Sequence, residues 1–289
     1  MKAKKSLGLK QEFKFARAKK ALGQNFLKSI PALNAIIKAG EISKQDIVLE
    51  IGPGKGALTK KLLEHGGLVI AVEKDDELTE ILKNKFEKEI KEKKLILKNE
   101  DILRFNSSAI SNFSSRHPSQ NTEWDPRDKK IKNGSTYKII ANIPYNITGA
   151  ILKKFLTEEN QPETMVLMVQ NEVARRIVSK KESILSISVK AYGEPKIVMK
   201  VPARYFSPAP KVDSAIIAIN HISRKIFEEN NIDEEKFWEI VKNGFAHKRK
   251  KLSGNLKNVI SSEKLLKSGF KDKRAEEVSL SDWILLAKN

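Results

Sequence analysis

No cysteine occurs in this chain, and only four of its residues are histidine. The first absence excludes a disulfide framework, an iron–sulfur cluster, a thiolate zinc site and a cysteine nucleophile. The second leaves few metal ligands, and no metal is expected. Long apolar stretches are missing as well: there is no run of about 18 such residues, which a membrane span would need. The N-terminal MKAKKSLGLKQEFKFARAKK lacks the apolar segment of a secretory signal, so a cytoplasmic protein with no membrane partner is expected. Acidic residues are outnumbered, 36 Asp and Glu against 55 Lys and Arg, for a net charge of +19. Such a surplus implies a polyanionic partner, most simply nucleic acid, although solubility or a basic proteome would give the same count. With 289 residues, 40% of them hydrophobic, the chain can build one large core and a small appendage, which argues against intrinsic disorder.

The positive charge is concentrated at the ends. Residues 1–30 hold nine Lys and Arg and one acid, and residues 220–289 hold fifteen against eleven. In the N-terminal run, cations alternate with Leu7, Leu9, Phe13 and Phe15, a pattern for a segment lying along a surface, or for a solvated tail. From Asp46 onward the pattern turns regular. DIVLEI, LVIAVE, KLILKN, YKIIAN and TMVLMVQ read as strands, and helical stretches such as TKKLLEH and DDELTEILKNKFEKEIKE lie between some of them. Strands apolar on both faces and separated by helices predict an α/β, doubly wound, mostly parallel sheet. PKIVMKV and VDSAIIAIN, with no helix between them, predict an antiparallel end to that sheet. After Asn220 only short helical patterns follow. The expected organisation is a basic N-terminal arm at 1–30, a main α/β domain at 31–220 and a small all-α domain at 221–289. Residues 106–134, rich in Ser, Asn, Pro and charge, read as a surface loop insertion.

Strand, then Glu50-Ile51-Gly52-Pro53-Gly54-Lys55-Gly56, then helix is a turn whose glycines let backbone N–H groups approach a ligand at a helix N-terminus. It is not a phosphate-binding Walker loop, because no Gly-Lys-Ser or Gly-Lys-Thr ends it. Glu73, at the end of the next strand, can accept hydrogen bonds from both ribose hydroxyls of any adenosine ligand, so it reports a ribose and not which cofactor. A dinucleotide fingerprint fits the same turn. Asp101, at the end of the third strand, stands where it can accept from an adenine amino group or cap a helix.

The fourth strand runs into Asn142-Ile143-Pro144-Tyr145, which is similar to the site of methyltransferases that act on the N6 amine of adenine. That amine is a poor nucleophile because its lone pair is delocalised into the ring. An Asn oxygen and a neighbouring backbone carbonyl can accept from it, localising the lone pair as the nitrogen becomes tetrahedral, while Pro144 fixes the turn. Tyr145 offers a face on which an extruded base stacks, a contact worth roughly 1–3 kcal/mol. S-adenosyl-L-methionine is the expected methyl donor, since its sulfonium charge is lost on transfer and alignment matters more than acid–base help.

From residue 19 to 288 the chain resembles the KsgA/RsmA ribosomal RNA adenine dimethyltransferases. The resemblance is carried by KKALGQNFL (19–27), EIGPGKGALT (50–59), Glu73, Asn99-Glu100-Asp101, NIPYNI (142–147), VPARYFSPAPKVDSAI (201–216) and FAHKRKKLSGNL (245–256). It implies a Rossmann-like methyltransferase fold and dimethylation of N6 on two adjacent adenosines in the 3′-terminal hairpin loop of 16S rRNA, by a monomer acting on the pre-30S subunit. By the same resemblance, Asn25 and Leu27 would close over the cofactor, Gly52 and Gly54 line its methionine end, Glu73 hold the ribose and Asp101 the adenine amine. Asn142 would bind the cofactor near the reacting methyl and orient the target amine, Tyr145 stack the base, and Phe206 close its other face unless it is a buried packing aromatic. Lys248, Arg249, Lys250 and Lys251 would bind RNA phosphates unless they form a solvated helix end. The long insertion and the FAHKRKKL form, with Lys where the family favours Arg, depart from its usual pattern.

The nearest alternative is the Erm-type dimethyltransferases of 23S rRNA, which share the cofactor turn and Asn-Ile-Pro-Tyr. FAHKRKKLSGNL and the terminal RAEEVSLSDWILLA favour the KsgA type. A non-catalytic ribosome-assembly factor would have no need of Asn142 at its turn, and a nicotinamide dehydrogenase leaves NIPYNI unexplained.

Overall fold

The computed structural model describes residues 18–110 and 136–288. The arm residues 1–17 and residues 111–134 of the expected insertion lie outside the described residues. Runs of Ile, Val and Leu form the strands β1 (Phe26–Leu27), β2 (Ile47–Ile51), β3 (Leu68–Glu73), β4 (Leu95–Asn99), β5 (Tyr137–Asn142), β6 (Thr164–Gln170), β7 (Glu194–Val201), β8 (Phe206–Ser207) and β9 (Ser214–Asn220). Seven of them make one sheet in the order β4-β3-β2-β5-β6-β9-β7. The pairs from β4 through β6 are parallel. Every residue of β2 and β3 is buried, because branched side chains emerge on both faces and helices cover both. β7 and β9 are neighbours at the far edge, where the sequence places a helix-free pair. β1 and β8 form a separate antiparallel pair that joins Leu27 to Phe206.

The strand order explains where a ligand fits. From β2 the chain moves outward to β3 and β4, then returns to β5 on the other flank of β2. At this reversal the turns after β2 and β5 leave a crevice beyond the carboxyl ends of the strands. Ile51 stands opposite Ala141 across that pair, so Gly52 and Asn142 follow side by side.

The helical reading needs two corrections of extent. Residues 75–92 form two helices, Asp76–Lys85 and Glu87–Lys91, because Phe86 leaves helical geometry at φ −113°. FEENNIDEEKFWEIVKNGF (227–245), one of the helical patterns expected after Asn220, is likewise divided: Asn231 takes a left-handed φ of 52°, and Asp233 caps the next helix, Glu234–Gly244. Helices at Ile30–Ala39, Thr148–Thr157, Asn171–Val178 and Ile184–Lys190 occupy stretches that the sequence reading leaves unassigned.

The chain divides into two units. Residues up to 171 together with 198–218 form the first, and 172–197 with 219–289 form the second. In the second unit, Gly244 admits the ring of the fully buried Trp283 so closely that a Cβ there would lie 2.2 Å from it. Tyr192 stacks on Trp238 and donates its hydroxyl to Glu234, which also accepts from Arg224. Among the described residues no helix is long and apolar enough to cross a membrane.

Candidate active site

A cavity of about 900 Å³ opens at the switch point of the first unit, and Asn25, Leu27, Gly52, Gly54, Glu73, Asp101 and the run from Asn142 to Tyr145 all line it. Gly52, Gly54 and Gly56 turn the chain with positive φ. A Cβ on Gly52 would meet nothing within 4 Å, so the peptide here faces open space in which a ligand fits. Gly56 answers to packing instead, since a Cβ would come within 2.6 Å of the Phe86 ring.

Glu73 is buried at the end of β3, and each of its oxygens accepts one backbone N–H, from Gly54 at 3.0 Å and from Asp75 at 3.0 Å. Burial pushes its carboxyl up against the pull of those two donors. Each oxygen keeps a second lone pair for a diol. Asp101 is more open; its carboxylate accepts from Leu103 N and pairs with Lys74 at 2.9 Å, and the Lys74 bond holds it below the usual carboxylate range. The residues present therefore fit an adenosine-bearing ligand: room at Gly52, an acceptor for hydroxyls at Glu73 and one for an amine at Asp101.

The amide of Asn142 has a defined orientation. Its Nδ2 donates to the backbone carbonyl of Asn25 at 2.9 Å, which leaves Oδ1 without a partner among the described residues. An amine placed there meets an acceptor, not a base. Tyr145 closes the turn with its hydroxyl 2.5 Å from that of Ser214, a fully buried residue of β9, and burial raises its phenol pKa. Ile143 is buried beneath the turn.

Phe206 behaves differently from its expected role. It is 2% exposed, belongs to the core cluster that contains Leu27 and Val201, and does not line the cavity. In this structure it is the packing aromatic, and it supports Leu27 across the β1–β8 pair. The basic run Lys248–Lys251 is exposed as expected, but it forms the turn between the helices Glu234–Gly244 and Leu252–Asn255. Backbone bonds from Leu252 to Lys273 and from Ser253 to Lys271 lay a second basic stretch beside it.

Several residues that line or brace the site are missed by sequence reasoning. Glu50, the penultimate residue of β2, is 1% exposed and lines the cavity, and neither of its oxygens makes a well-formed hydrogen bond, although Thr59 pulls against its burial. Burial pushes its pKa up to about 8. Asp75 caps the helix after β3 and also receives Lys19 Nζ and Gln24 Nε2, which ties the segment before Asn25 to the turn that carries Glu73. An Asp just after a strand signals the cap, but nothing local signals the tie.

A reversal of strand order that brings an oriented amide, an aromatic ring and a buried carboxylate to one cavity fits the class of Rossmann-like methyltransferases acting on amines. The model of the family described as "Ribosomal RNA adenine dimethylase" matches residues 15–288, and the chain belongs to that family. It is 38% identical over 276 residues to "Ribosomal RNA small subunit methyltransferase A" of Dehalococcoides mccartyi strain CBDB1, an alignment covering 92% of this chain and 86% of that protein. The protein of that name from Prochlorococcus marinus strain NATL1A is 37% identical, with 93% and 90% covered. Among solved structures, a dimethyladenosine transferase from Plasmodium falciparum superposes with a TM-score of 0.70 at 24% identity, covering 90% of this chain and 95% of its own. The 23S rRNA methyltransferase ErmE superposes at 0.66 and 24%, covering 91% and 98%. At these identities the two structures establish the fold alone.

Proposed function

We propose that this enzyme transfers methyl groups from S-adenosyl-L-methionine to N6 of two adjacent adenosines in the 3′-terminal hairpin loop of 16S rRNA, on the pre-30S subunit in the cytoplasm. The observation that carries this reading is the Asn142 amide, pinned through its Nδ2 by Asn25 so that its oxygen stays unpaired in a residue that lines the cavity beside Tyr145. The names of its 35–38% identical relatives support the small-subunit substrate. The open clefts of the structure and the exposed basic turn suit a flexed-out base and a phosphate backbone.

Bound S-adenosyl-L-methionine supplies an electrophilic methyl group on a sulfonium. Glu73 would hold its ribose, Asp101 its adenine amine, and Gly52 and Gly54 its methionine end. Asn142 Oδ1 accepts one N6 hydrogen of the target base, and a backbone carbonyl of the Asn-Ile-Pro turn accepts the other. Those two bonds favour a tetrahedral nitrogen and so lower the barrier where the charge shift occurs. Tyr145 holds the ring plane, Leu27 keeps water out, and Lys248, Arg249, Lys250 and Lys251 bind RNA.

The test is methyl transfer to 30S particles lacking the modification, followed by nucleoside analysis. N6,N6-dimethyladenosine at two adjacent positions is expected from the wild type. Removing one preorganised polar group in Asn142→Ala is expected to lower the rate on the order of 10²-fold with the fold retained. A well-folded Asn142→Ala protein within a fewfold of wild type would refute the assignment, and methylation confined to 23S rRNA would redirect it to the Erm type.

A further inference from the structure

We infer that Gln170 reads the ring edge of the target adenine from a second cavity beside Tyr145, an inference that rests on the adenine methylation proposed above. This cavity, of about 460 Å³, is lined by Ala21, Gly23, Asn25, Tyr145, Asn146 and Gln170. All but Gln170 also line the larger cavity, so the two spaces share a wall at Tyr145. Gln170 enters from the next strand. Asn142 of β5 stands opposite Met168 of β6, and Gln170 follows two residues later. By the two-residue repeat of a strand, its side chain leaves the same face of the sheet as that of Asn142, roughly 6–7 Å further toward the carboxyl ends. It is half-buried, and its amide makes no hydrogen bond among the described residues.

The chemistry of the base calls for such a group. Adenine presents two ring acceptors, N1 and N7, on either side of its amine. Asn142 Oδ1 and a turn carbonyl are acceptors and serve only the amine hydrogens. A ring nitrogen carried into the cleft without a donor weakens binding. Gln170 Nε2 donates to that nitrogen. N6,N6-dimethyladenine carries a methyl group against each flanking nitrogen. The bond is therefore open to adenine and to the monomethyl intermediate whose methyl lies on the far side, and closed to the product. Gln170 thus retains the base between the two transfers and lets it go after the second.

The test compares full-length wild type, Gln170→Met and Gln170→Glu on 30S particles lacking the modification, with the mono- and dimethylated nucleosides quantified over time. Gln170→Met keeps the side chain's length and removes the donor. Its kcat/KM is expected to fall about tenfold, as for loss of one hydrogen bond to the reacting base, and N6-methyladenosine is expected to accumulate. Its melting temperature and its affinity for S-adenosylhomocysteine should match wild type. Gln170→Glu, which sets an acceptor against an acceptor, should lose more. The inference is overturned by a Met variant with wild-type rate and product ratio, by a Glu variant as active as wild type, or by a loss that tracks a lower melting temperature with the product ratio unchanged. If the wild type itself leaves no methylated adenosine, the proposed function fails, and not Gln170 alone.

Discussion

The hydroxyls of Tyr145 and Ser214 lie 2.5 Å apart, so a group on β9 anchors a tyrosine that lines the cleft. Stacking needs the ring and not the hydroxyl. Tyr145→Phe and Ser214→Ala should therefore each slow methyl transfer severalfold, through the same lost bond, and the double variant should be no slower than either single one. Losses that add in a double-mutant cycle would show that Ser214 acts elsewhere. Glu50 makes a second case at this scale. Its carboxyl, ordinarily at 4.5, is pushed up to about 8 by burial. Below about pH 4.5 the group is protonated whether the chain is folded or unfolded. Between there and about pH 8 only the unfolded chain gives up the proton, so wild-type stability falls as pH rises through that window, at up to about 1.4 kcal/mol per pH unit. Above it the slope ends. Glu50→Gln removes this contribution, so its advantage in melting temperature over wild type should grow from pH 5 to pH 8. Parallel curves would mean that Glu50 finds a partner when folded.

Among the elements, the turn after β3 does two jobs. Asp75 accepts from Glu77 N to cap the helix Asp76–Lys85, and it holds Lys19 and Gln24, whose segment leads to Asn25 and so to Asn142. Burial alone would raise the Asp75 carboxyl, but the bonds from Lys19 and Gln24 outweigh it and hold it below its ordinary value. Gln24→Ala leaves the cap intact, so calorimetry should find weaker S-adenosylhomocysteine binding by several-fold with little change in melting temperature. Asp75→Ala loses the cap as well and should cost about 1 kcal/mol of stability besides. Equal ligand affinity in both variants and wild type would show that the tie does not shape the cleft. The same elements show what a sequence can disclose. β2, β3 and β5 are legible because each is a short apolar run buried on both faces, and the glycine turn and Asn142-Ile143-Pro144-Tyr145 are legible because their chemistry sits in consecutive residues. The Asp75 tie spans 56 positions from Lys19, and the Tyr145–Ser214 bond spans 69, so no local pattern carries them. Phe206 misleads for the opposite reason: its aromatic side chain suits stacking, yet the β1–β8 pairing draws it into the core.

For the molecule as a whole, the chain carries a net charge of +19, and the cavity and the exposed basic turn fall in different units. The cavity lies in the first unit, and the exposed turn Lys248–Lys251 lies in the second. Among the described residues, Lys251 alone of the four forms an ion pair, with Asp272 at 2.8 Å, and that pair is exposed, so the turn keeps its cations available to phosphate. Each cation that neutralises a phosphate releases condensed counterion, which makes affinity fall with salt by roughly 0.7 to 0.9 in log–log slope per phosphate neutralised. Replacing Lys248, Arg249, Lys250 and Lys251 together by Ala should leave S-adenosylhomocysteine affinity untouched, weaken binding to 30S particles at low salt, and flatten the slope in proportion to the phosphates no longer neutralised. Filter binding across a salt series reads the slope directly. An unchanged slope would remove this turn from the RNA interface and shift attention to the nine cations among residues 1–30, the other concentration of positive charge in the chain.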